Sequence, residues 1–361
     1  MLRSSHRALF GLLLTGLLLA GCGVSTGLAI GEERVNPNEA QIEAEMITLI
    51  REISLQRREA REDELVRRFN QPKTIACLKG EMAVEALEPK LAVGMFANPG
   101  TYPVTLRFAN ATEFDDREKD LRGLSIRVSG VVDATRDDGT VAVNRGAQDF
   151  LLNSYPALFA GTPEDFLSFV QATESDNVLW YFLNPFDSHL KSLGIVLKAR
   201  DNPTSPFATR YFSTTPIAYG DGAAVKYSVR SCSPPGAATA PDHKHYLRSA
   251  LANDLDGGSQ CLDFMVQFQS DPDLMPIEDA SVAWPEEVSP FRTVAQITIE
   301  SHEFSSTEAL ARCEAMQFNP WNGSPELRPL GGINRIRKNL YLDLGSFRTE
   351  QNMSATQGAP G

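Results

Sequence analysis

Histidine and cysteine, which supply most transition-metal ligands in proteins, are scarce in this sequence of 361 residues. No histidine lies between His6 and His189, so about half of the chain lacks the side chain that titrates near neutral pH. His243 and His245 form an H-K-H pattern, which we interpret as part of a loop; the alternative is a metal-binding pair. None of the cysteine spacings is that of a zinc site. The sequence therefore gives no indication of a zinc centre.

An excess of positive charge is missing as well. The chain has 34 basic and 46 acidic residues, for a formal net charge of −12. Because nucleic-acid binding relies on lysine and arginine to neutralise phosphates, we expect no nucleic-acid partner. The sequence contains no internal repeat and no low-complexity block, and its hydrophobic content of 42% is ordinary for a globular protein.

Long hydrophobic runs are absent except near the start of the chain. Residues 8–19 are apolar, but this run is too short to cross a bilayer. Arg3 and Arg7 precede it, and the letters L-A-G-C, ending at Cys22, follow it. This pattern resembles the lipobox of bacterial lipoproteins, in which the cysteine thiol receives a diacylglycerol and the cysteine becomes the new N-terminus. The alternative is an ordinary secretory signal that is cut nearby.

The lipobox resemblance implies a lipoprotein signal peptide over residues 1–21, lipid attachment at Cys22, and a small, polar tether over residues 22–35. We therefore expect the protein in the bacterial cell envelope, anchored to a membrane by lipid on its periplasmic or extracellular face. An exported chain is permitted disulfides. The cysteines left for them are Cys77, Cys232, Cys261 and Cys313, and the sequence leaves their pairing open.

The rest of the sequence predicts a helical arm followed by a β-rich domain. Asn36 and Glu39 have the spacing of a capping box, and apolar residues from Ile42 to Ile53 recur at helical spacing, so we predict an N-terminal helical arm over residues 36–70. The main domain is predicted over residues 71–348, and a disordered tail over residues 349–361. Predicted strands within the domain include residues 101–110, 124–131, 226–232, 261–269 and 293–301; one helix begins at Thr162 and another covers residues 243–254.

A basic segment near the end of the chain raises the first functional hypothesis. Arg337 stands four residues before Tyr341, and residues four apart lie on one face of a helix, so the guanidinium would be within reach of the phenol oxygen. A fixed cation favours the phenolate, which is a hard anionic ligand for ferric iron. The alternative is a surface helix in which the tyrosine packs and the arginine is solvated.

Four segments, in order along the chain, resemble the haem catalase superfamily and, more closely, its smaller catalase-related members. R-K-N-L-Y, ending at Tyr341, matches the R-x-x-x-Y motif whose tyrosine is the proximal iron ligand in catalases. D-F-L-L-N-S-Y-P-A-L-F is similar to the distal asparagine stretch and places Asn153 at the asparagine and Phe159 at an aromatic position near the haem. V-T-L-R-F-A-N places Arg107 where the family has an arginine that pairs with a haem propionate, and D-L-R-G-L-S-I-R-V matches a further strand at Arg122.

The resemblance implies an α+β fold, namely a catalase-like antiparallel β-barrel with flanking helices. It also implies haem b as the cofactor, held inside the barrel with Tyr341 on the iron and Arg337 as its charge partner. Arg107 would bind a propionate, and Asn153 would be the distal polar group that orients a peroxide. The oligomeric state stays open.

The distal side departs from the family pattern. The family has a stretch like H-G-C-V-R-A-E-F, and the equivalent stretch here places Ile75 at the position of the catalytic histidine. The serine that steadies this histidine in catalases is replaced by Ala109. Cys77 could point into the same pocket, or be a buried structural thiol. Because heterolysis of a peroxide needs a base to move its proton, we expect true catalase turnover to be nearly absent.

The sequence therefore predicts a haem-binding, catalase-related lipoprotein. One function that fits is a weak haem peroxidase, or another converter of organic hydroperoxides or similar small molecules. The alternatives are a non-catalytic haem binder or carrier, and a haem-free ligand-binding scaffold.

Overall fold

The computed structural model describes residues 27–131, 146–186, 188–233 and 242–357. The predicted signal peptide and the predicted lipid attachment at Cys22 lie outside these residues. The helices found within them are α1 (Glu39–Ala60), α2 (Pro163–Glu174), α3 (Val178–Leu183), α4 (Leu190–Ala199), α5 (Tyr246–Asp256), α6 (Thr307–Ala315) and α7 (Gly332–Gln357). Among the described residues, no helix combines the length and the apolar character needed to span a bilayer.

The strands form one antiparallel sheet that closes on itself. They are β1 (Lys73–Val84), β2 (Gly100–Asn110), β3 (Arg122–Ser129), β4 (Ala147–Asn153), β5 (Tyr211–Phe212), β6 (Ile217–Ala218), β7 (Ala224–Ser231), β8 (Gln260–Phe268) and β9 (Arg292–Ile299). Their order is β5-β4-β3-β2-β1-β9-β8-β7-β6, and β5 also pairs with β7. Eight strands therefore close a barrel, while β6 pairs with β7 outside the ring. This confirms the predicted α+β fold with an antiparallel barrel and flanking helices.

Alternation along the strands gives the barrel an apolar interior and a partly polar outer face. Leu106 and Phe108 of β2 belong to the main hydrophobic core. Arg107 lies between them in the strand and points to the opposite face, because successive side chains of a strand alternate. It pairs in register with Ser125 of β3, which pairs with Leu151 of β4, so these three side chains share the outer face.

A second, smaller core joins the helices outside the barrel. Its buried residues come from α1, α2 and α7: Ile42, Met46, Ile50, Ile53, Val170, Ile336 and Leu340. The predicted start of α1 is close to the observed one: the helix begins at Glu39, and its carboxylate accepts a hydrogen bond from the backbone N–H of Asn36 at 3.1 Å. The helical layer thus packs against one side of the barrel, where the register of β2 to β4 places the buried Arg107 on the outer face of the sheet.

Two predictions about the ends of the chain need correction. Residues 27–35, predicted as part of a tether, are attached to the body: the backbone N–H of Gly31 donates to Gln269, and that of Arg34 donates to Glu278. The tail, predicted as disordered from residue 349, continues as helix α7 to Gln357. Contacts hold its last turns, since Asn352 exchanges two hydrogen bonds with the backbone of Val66.

The four cysteines among the described residues form two disulfides, whose pairing the sequence left open. Cys77 of β1 is bonded to Cys313 of α6, and Cys232 is bonded to Cys261 at the start of β8. Cys77 is therefore neither a thiol facing a pocket nor a free buried thiol. Its disulfide fixes α6 against the outer face of the barrel.

Candidate haem pocket

A cavity of about 530 Å³ lies between the outer face of the barrel and the helical layer. Its wall is contributed by β2, β3 and β4 on one side and by α1, α2, α3, α4 and α7 on the other. The volume falls within the range of cofactor and ligand pockets, which is roughly 300–1,000 Å³. The cavity lies outside the barrel, so the expectation of a site inside it is wrong: side chains of the hydrophobic core fill the interior.

Tyr341 and Arg337 lie on the cavity-facing side of α7. Arg337 donates a hydrogen bond from Nη2 to the phenol oxygen of Tyr341 at 2.9 Å, and its guanidinium carbon is 5.0 Å from the centre of the ring. Arg337 is itself positioned by Asn334, whose amide oxygen accepts a hydrogen bond from Nη1 at 3.1 Å. The side-chain amide of Asn334 donates to two backbone carbonyls. Arg337, positioned by Asn334, thus donates a hydrogen bond to the phenol oxygen of the half-buried Tyr341, as the spacing of Arg337 and Tyr341 predicts.

Arg107 belongs to a cluster of three arginines along the same cavity. The other two are Arg68, which precedes β1, and Arg348 of α7; all three line the cavity. Arg107 donates to the hydroxyl of Thr74 at 2.8 Å and to the backbone carbonyl of Gln71 at 2.9 Å. Its Nε is buried without a hydrogen-bond partner among the described residues.

One carboxylate, that of Glu314 in α6, is shared by the cluster. It accepts hydrogen bonds from Arg68 at 2.8 Å, from Arg348 at 3.3 Å and from the hydroxyl of Thr74 at 2.7 Å. Burial by itself would raise the pKa of Glu314, but Arg68 and Arg107 outweigh it and hold that pKa below its usual value. Glu314 is therefore a carboxylate anion at neutral pH.

The positive charges of the cluster exceed its negative charge. Burial, with a contribution from Arg68, lowers the pKa of Arg107 well below its usual value and that of Arg348 to about 10. Arginine stays protonated in proteins, so each of the three guanidinium groups carries a positive charge, and holding them together away from water is unfavourable. Three cations and one carboxylate leave an excess of two positive charges. The chemistry of the cluster favours a ligand with two negative charges.

The distal candidate Asn153 lies in the cavity wall at the end of β4 and is linked to Arg107. Its side-chain oxygen accepts a hydrogen bond from the side-chain amide of Gln71 at 3.1 Å, and the backbone of Gln71 accepts one from Arg107. Phe159 also lines the cavity, with its ring 4.6 Å from that of Phe169 and 6.0 Å from that of Phe166. The structure therefore brings Asn153 and Phe159 to the cavity that Arg107, Arg337 and Tyr341 line.

Ile75 is the predicted site residue that the structure does not bring to this cavity. A bulge between Thr74 and Ala76 interrupts the pairing of β1 with β2, and the buried Ile75 packs into the hydrophobic core of the barrel. Thr74, which lies opposite Ala109, faces the arginine cluster instead. The described part of the chain places no histidine in the cavity wall.

The sequence did not single out Arg68, Arg348, Gln71 or Glu314. Arg348 could have been found, because it follows Tyr341 by seven residues, or two helical turns, and so lies on the same face of α7. Arg68 and Glu314 are 246 residues apart and meet only in the folded chain. The described residues hold no group of three or more acidic, histidine or cysteine side chains placed to bind a metal ion.

Comparisons with other proteins find solved structures with a similar fold. Neither protein families nor curated proteins show a match to this chain. Among solved structures, the chain is 15% identical to a fungal catalase, with a TM-score of 0.63 over 80% of this chain and 61% of that one. It is also 15% identical to catalase A from Saccharomyces cerevisiae, with a TM-score of 0.64 over 80% and 62% of the two chains, and to a bacterial catalase, with 0.59 over 96% and 68%.

These similarities establish a catalase-like fold and nothing finer, because the identity is low. The chain spans about three fifths of the length of the first two catalases that it matches.

Proposed function

We propose that this chain binds haem b in the cavity with Tyr341 as the iron ligand, and that it converts organic hydroperoxides slowly and hydrogen peroxide hardly at all. The observation that carries the proposal is the pairing of two features in one cavity: a phenol held by Arg337, and an arginine cluster with two excess positive charges. A ferric porphyrin with two propionates matches both the phenol ligand and that excess charge.

The residues present fit the cofactor. Tyr341 and Arg348 are seven residues apart on α7, about 10 Å along the helix axis, so a ligand bound by the phenol at one point can meet the arginine cluster at another. Arg68, Arg107 and Arg348 would hold the propionates, and the unpaired Nε of Arg107 is one donor available for this. Aromatic side chains of the wall, including Phe159, would pack against the macrocycle.

Haem held there would supply the iron at which a peroxide bond is cleaved. Arg337 would stabilise the anionic form of Tyr341 by charge and by its hydrogen bond. Asn153 could orient a peroxide through its amide, but an amide does not take up and return a proton. Since the wall lacks a histidine among the described residues, the 10²–10⁴-fold that general acid–base catalysis typically contributes would be missing, about 3–5 kcal/mol in the barrier.

We also propose that the chain is held at a bacterial membrane by lipid on Cys22. The support is the N-terminal motif, with its two arginines, its short apolar run and the letters L-A-G-C. Metabolic labelling of the expressed protein with a fatty-acid analogue tests it. Label in the wild type and none in Cys22→Ser is the expected result, and equal labelling of the two would contradict it.

The function is tested by titrating purified protein with hemin and recording the absorption spectrum. We expect one hemin per chain and a spectrum typical of a phenolate-ligated ferric haem. Tyr341→Phe should lose that spectrum, while Tyr102→Phe, a matched change outside the cavity, should keep it. The loaded protein should oxidise a dye with an organic hydroperoxide and release almost no oxygen from hydrogen peroxide.

A non-catalytic haem binder is the second candidate, favoured by the absence of histidine from the described cavity wall. It would give the same spectrum without dye oxidation. If the folded protein takes up no hemin at all, both candidates are wrong and a haem-free scaffold remains.

A further inference from the structure

The segment formed by α3 and α4, here called the apolar hairpin, exposes an unusual amount of hydrophobic surface. Trp180 is 52% exposed and Phe186, between the two helices, is 93% exposed. The other exposed apolar side chains of the hairpin are Leu179, Leu183, Leu190 and Leu197. A cluster of this kind on a soluble domain marks a surface that something covers.

The hairpin is apolar on its inner side as well. Phe182 of α3 and Ile195 and Val196 of α4 line the cavity. Leu190 and Leu197, seven residues apart and hence on one face of α4, point outward. A helix that is apolar on both faces is normally covered on both, so the outer face needs an occupant.

Charge next to the outer face favours a lipid surface as that occupant. Lys191 and Lys198 repeat the seven-residue spacing one position later and form a basic stripe beside the leucines. Lys191 lies 3.5 Å from Asp279 and still has 62% of its side chain exposed. In a chain of net charge −12, a basic stripe beside exposed tryptophan, phenylalanine and leucine is the pattern of a surface that binds anionic lipid headgroups. A symmetric contact with a second copy would bring the same lysines together.

Arg34, in the segment that precedes α1, lies near this surface. The backbone N–H of Arg34 donates to Glu278, and the next residue, Asp279, pairs with Lys191 at the beginning of α4. Gly31 is also held to the body, through Gln269, and it is the ninth residue after Cys22; nine residues span at most about 30 Å. A lipid on Cys22 would therefore keep the folded domain within about 30 Å of chain from the bilayer on which the hairpin would dock.

We propose that the apolar hairpin docks on a lipid bilayer with anionic headgroups, with Trp180 and Phe186 inserted among the acyl chains and the two lysines at the headgroups. This goes beyond the proposed function, because it assigns a membrane-binding surface to the folded domain itself and does not depend on haem. It gives the protein a second attachment besides the proposed diacylglycerol on Cys22, whose two acyl chains anchor but do not orient the domain; the hairpin would fix the orientation of the domain on the bilayer.

Tryptophan fluorescence tests the docking directly. The full-length protein is reconstituted into vesicles of phosphatidylcholine and phosphatidylglycerol whose acyl chains are brominated, because bromine quenches indoles that enter the bilayer. We expect loss of a substantial part of the emission in the wild type and almost no loss in Trp180→Phe. Of the other two tryptophans, Trp284 is buried, and the half-buried Trp321 lies outside the hairpin with its indole N–H donated to the backbone carbonyl of Asn334. Equal quenching of the two proteins, or none in either, would overturn the proposal.

Two sets of variants locate the contact. Phe186→Ser with Leu190→Ser should reduce the quenching severalfold, whereas Leu274→Ser, an exposed leucine outside the hairpin, should leave it unchanged. Replacing both lysines of the stripe with glutamate should weaken the quenching and remove its dependence on phosphatidylglycerol. If instead Trp180 is not quenched and the protein in mild detergent sediments as a dimer that Leu197→Glu dissociates, a second copy covers this face and the proposal is wrong.

Discussion

Replacing Glu314 should change the stability of the fold and the hemin affinity of the cavity in opposite directions. Its carboxylate is shared by Arg68, Arg348 and Thr74 and is 7% exposed. In Glu314→Gln the side chain keeps its shape and can still accept a hydrogen bond, but the only carboxylate of the arginine cluster is gone. The excess charge of the cluster rises from two to three positive charges.

The empty protein should become less stable. Removing one partner from a buried ion pair costs about 3–5 kcal/mol, because it leaves buried charges without compensation. Because the glutamine of Glu314→Gln can still accept hydrogen bonds, we expect a loss at or just below the lower limit of that range, about 2–3 kcal/mol in the free energy of unfolding.

Affinity for a ligand with carboxylates should change in the opposite direction. A ligand carboxylate that binds the same guanidinium groups would lie about 6 Å from that of Glu314, and two such charges repel by about 3 kcal/mol at an effective dielectric of 20. Relief of this repulsion should tighten hemin binding, by up to about a hundredfold, since each 1.4 kcal/mol is a factor of ten.

Urea denaturation of the unloaded protein and hemin titration measure the two effects on one sample. Asp116→Asn is the control, because Asp116 is a buried carboxylate that pairs with Lys73 away from the cavity wall. It should lower stability and leave hemin affinity unchanged. If Glu314→Gln folds and binds hemin no more tightly than the wild type, the arginine cluster is not where an anionic ligand binds.

Three further predictions concern other parts of the fold. Burial lowers the pKa of Lys226 to about 7, against an opposing effect of Asp279, so between pH 7 and about 10.5 the unfolded chain binds a proton that the folded one lacks. The free energy of unfolding should therefore rise with pH across that window, and thermal melts of Lys226→Met should show a flatter rise. The same pH dependence in Lys226→Met and in the wild type would contradict a lowered pKa of Lys226. In Ile75→His the ring would enter the barrel core, so urea denaturation should show a loss of roughly 1–3 kcal/mol in the free energy of unfolding. Oxygen release from hydrogen peroxide should not increase; an increase would show that residue 75 faces the cavity. Replacing Cys77 and Cys313 together with serine should speed hydrogen exchange in α6 far more than in β3, and equal protection would refute a role of the disulfide in holding α6.

The parts of the fold visible in the sequence are those set by local periodicity. Alternating residues mark β2, β3, β8 and β9, and the 3.6-residue repeat marks α1. The contact of Arg337 with Tyr341 was predictable for the same reason, since it needs only a helix. Closure of the barrel could be expected only from the family resemblance and not from periodicity, because it depends on β5, a strand of two residues in which no alternation can be seen.

The arginine cluster and the orientation of Ile75 depend on the folded chain. Arg68 meets Glu314 only because the Cys77–Cys313 disulfide and the packing of α6 bring distant segments together. Ile75 turns into the core because of a bulge next to it, and a bulge of one residue leaves little trace in a single sequence. Alignment with the family pattern alone therefore predicted Ile75 on the wrong face of β1.

The central claim is that the phenol oxygen of Tyr341 is the iron ligand, and resonance Raman spectroscopy of the hemin-loaded protein tests it most directly. Excitation into the charge-transfer band should enhance ring vibrations of an iron-bound phenolate in the wild type and in Tyr102→Phe. The same bands should be absent from Tyr341→Phe. Phenolate bands that persist in Tyr341→Phe, or a loaded wild type without them, would contradict the account.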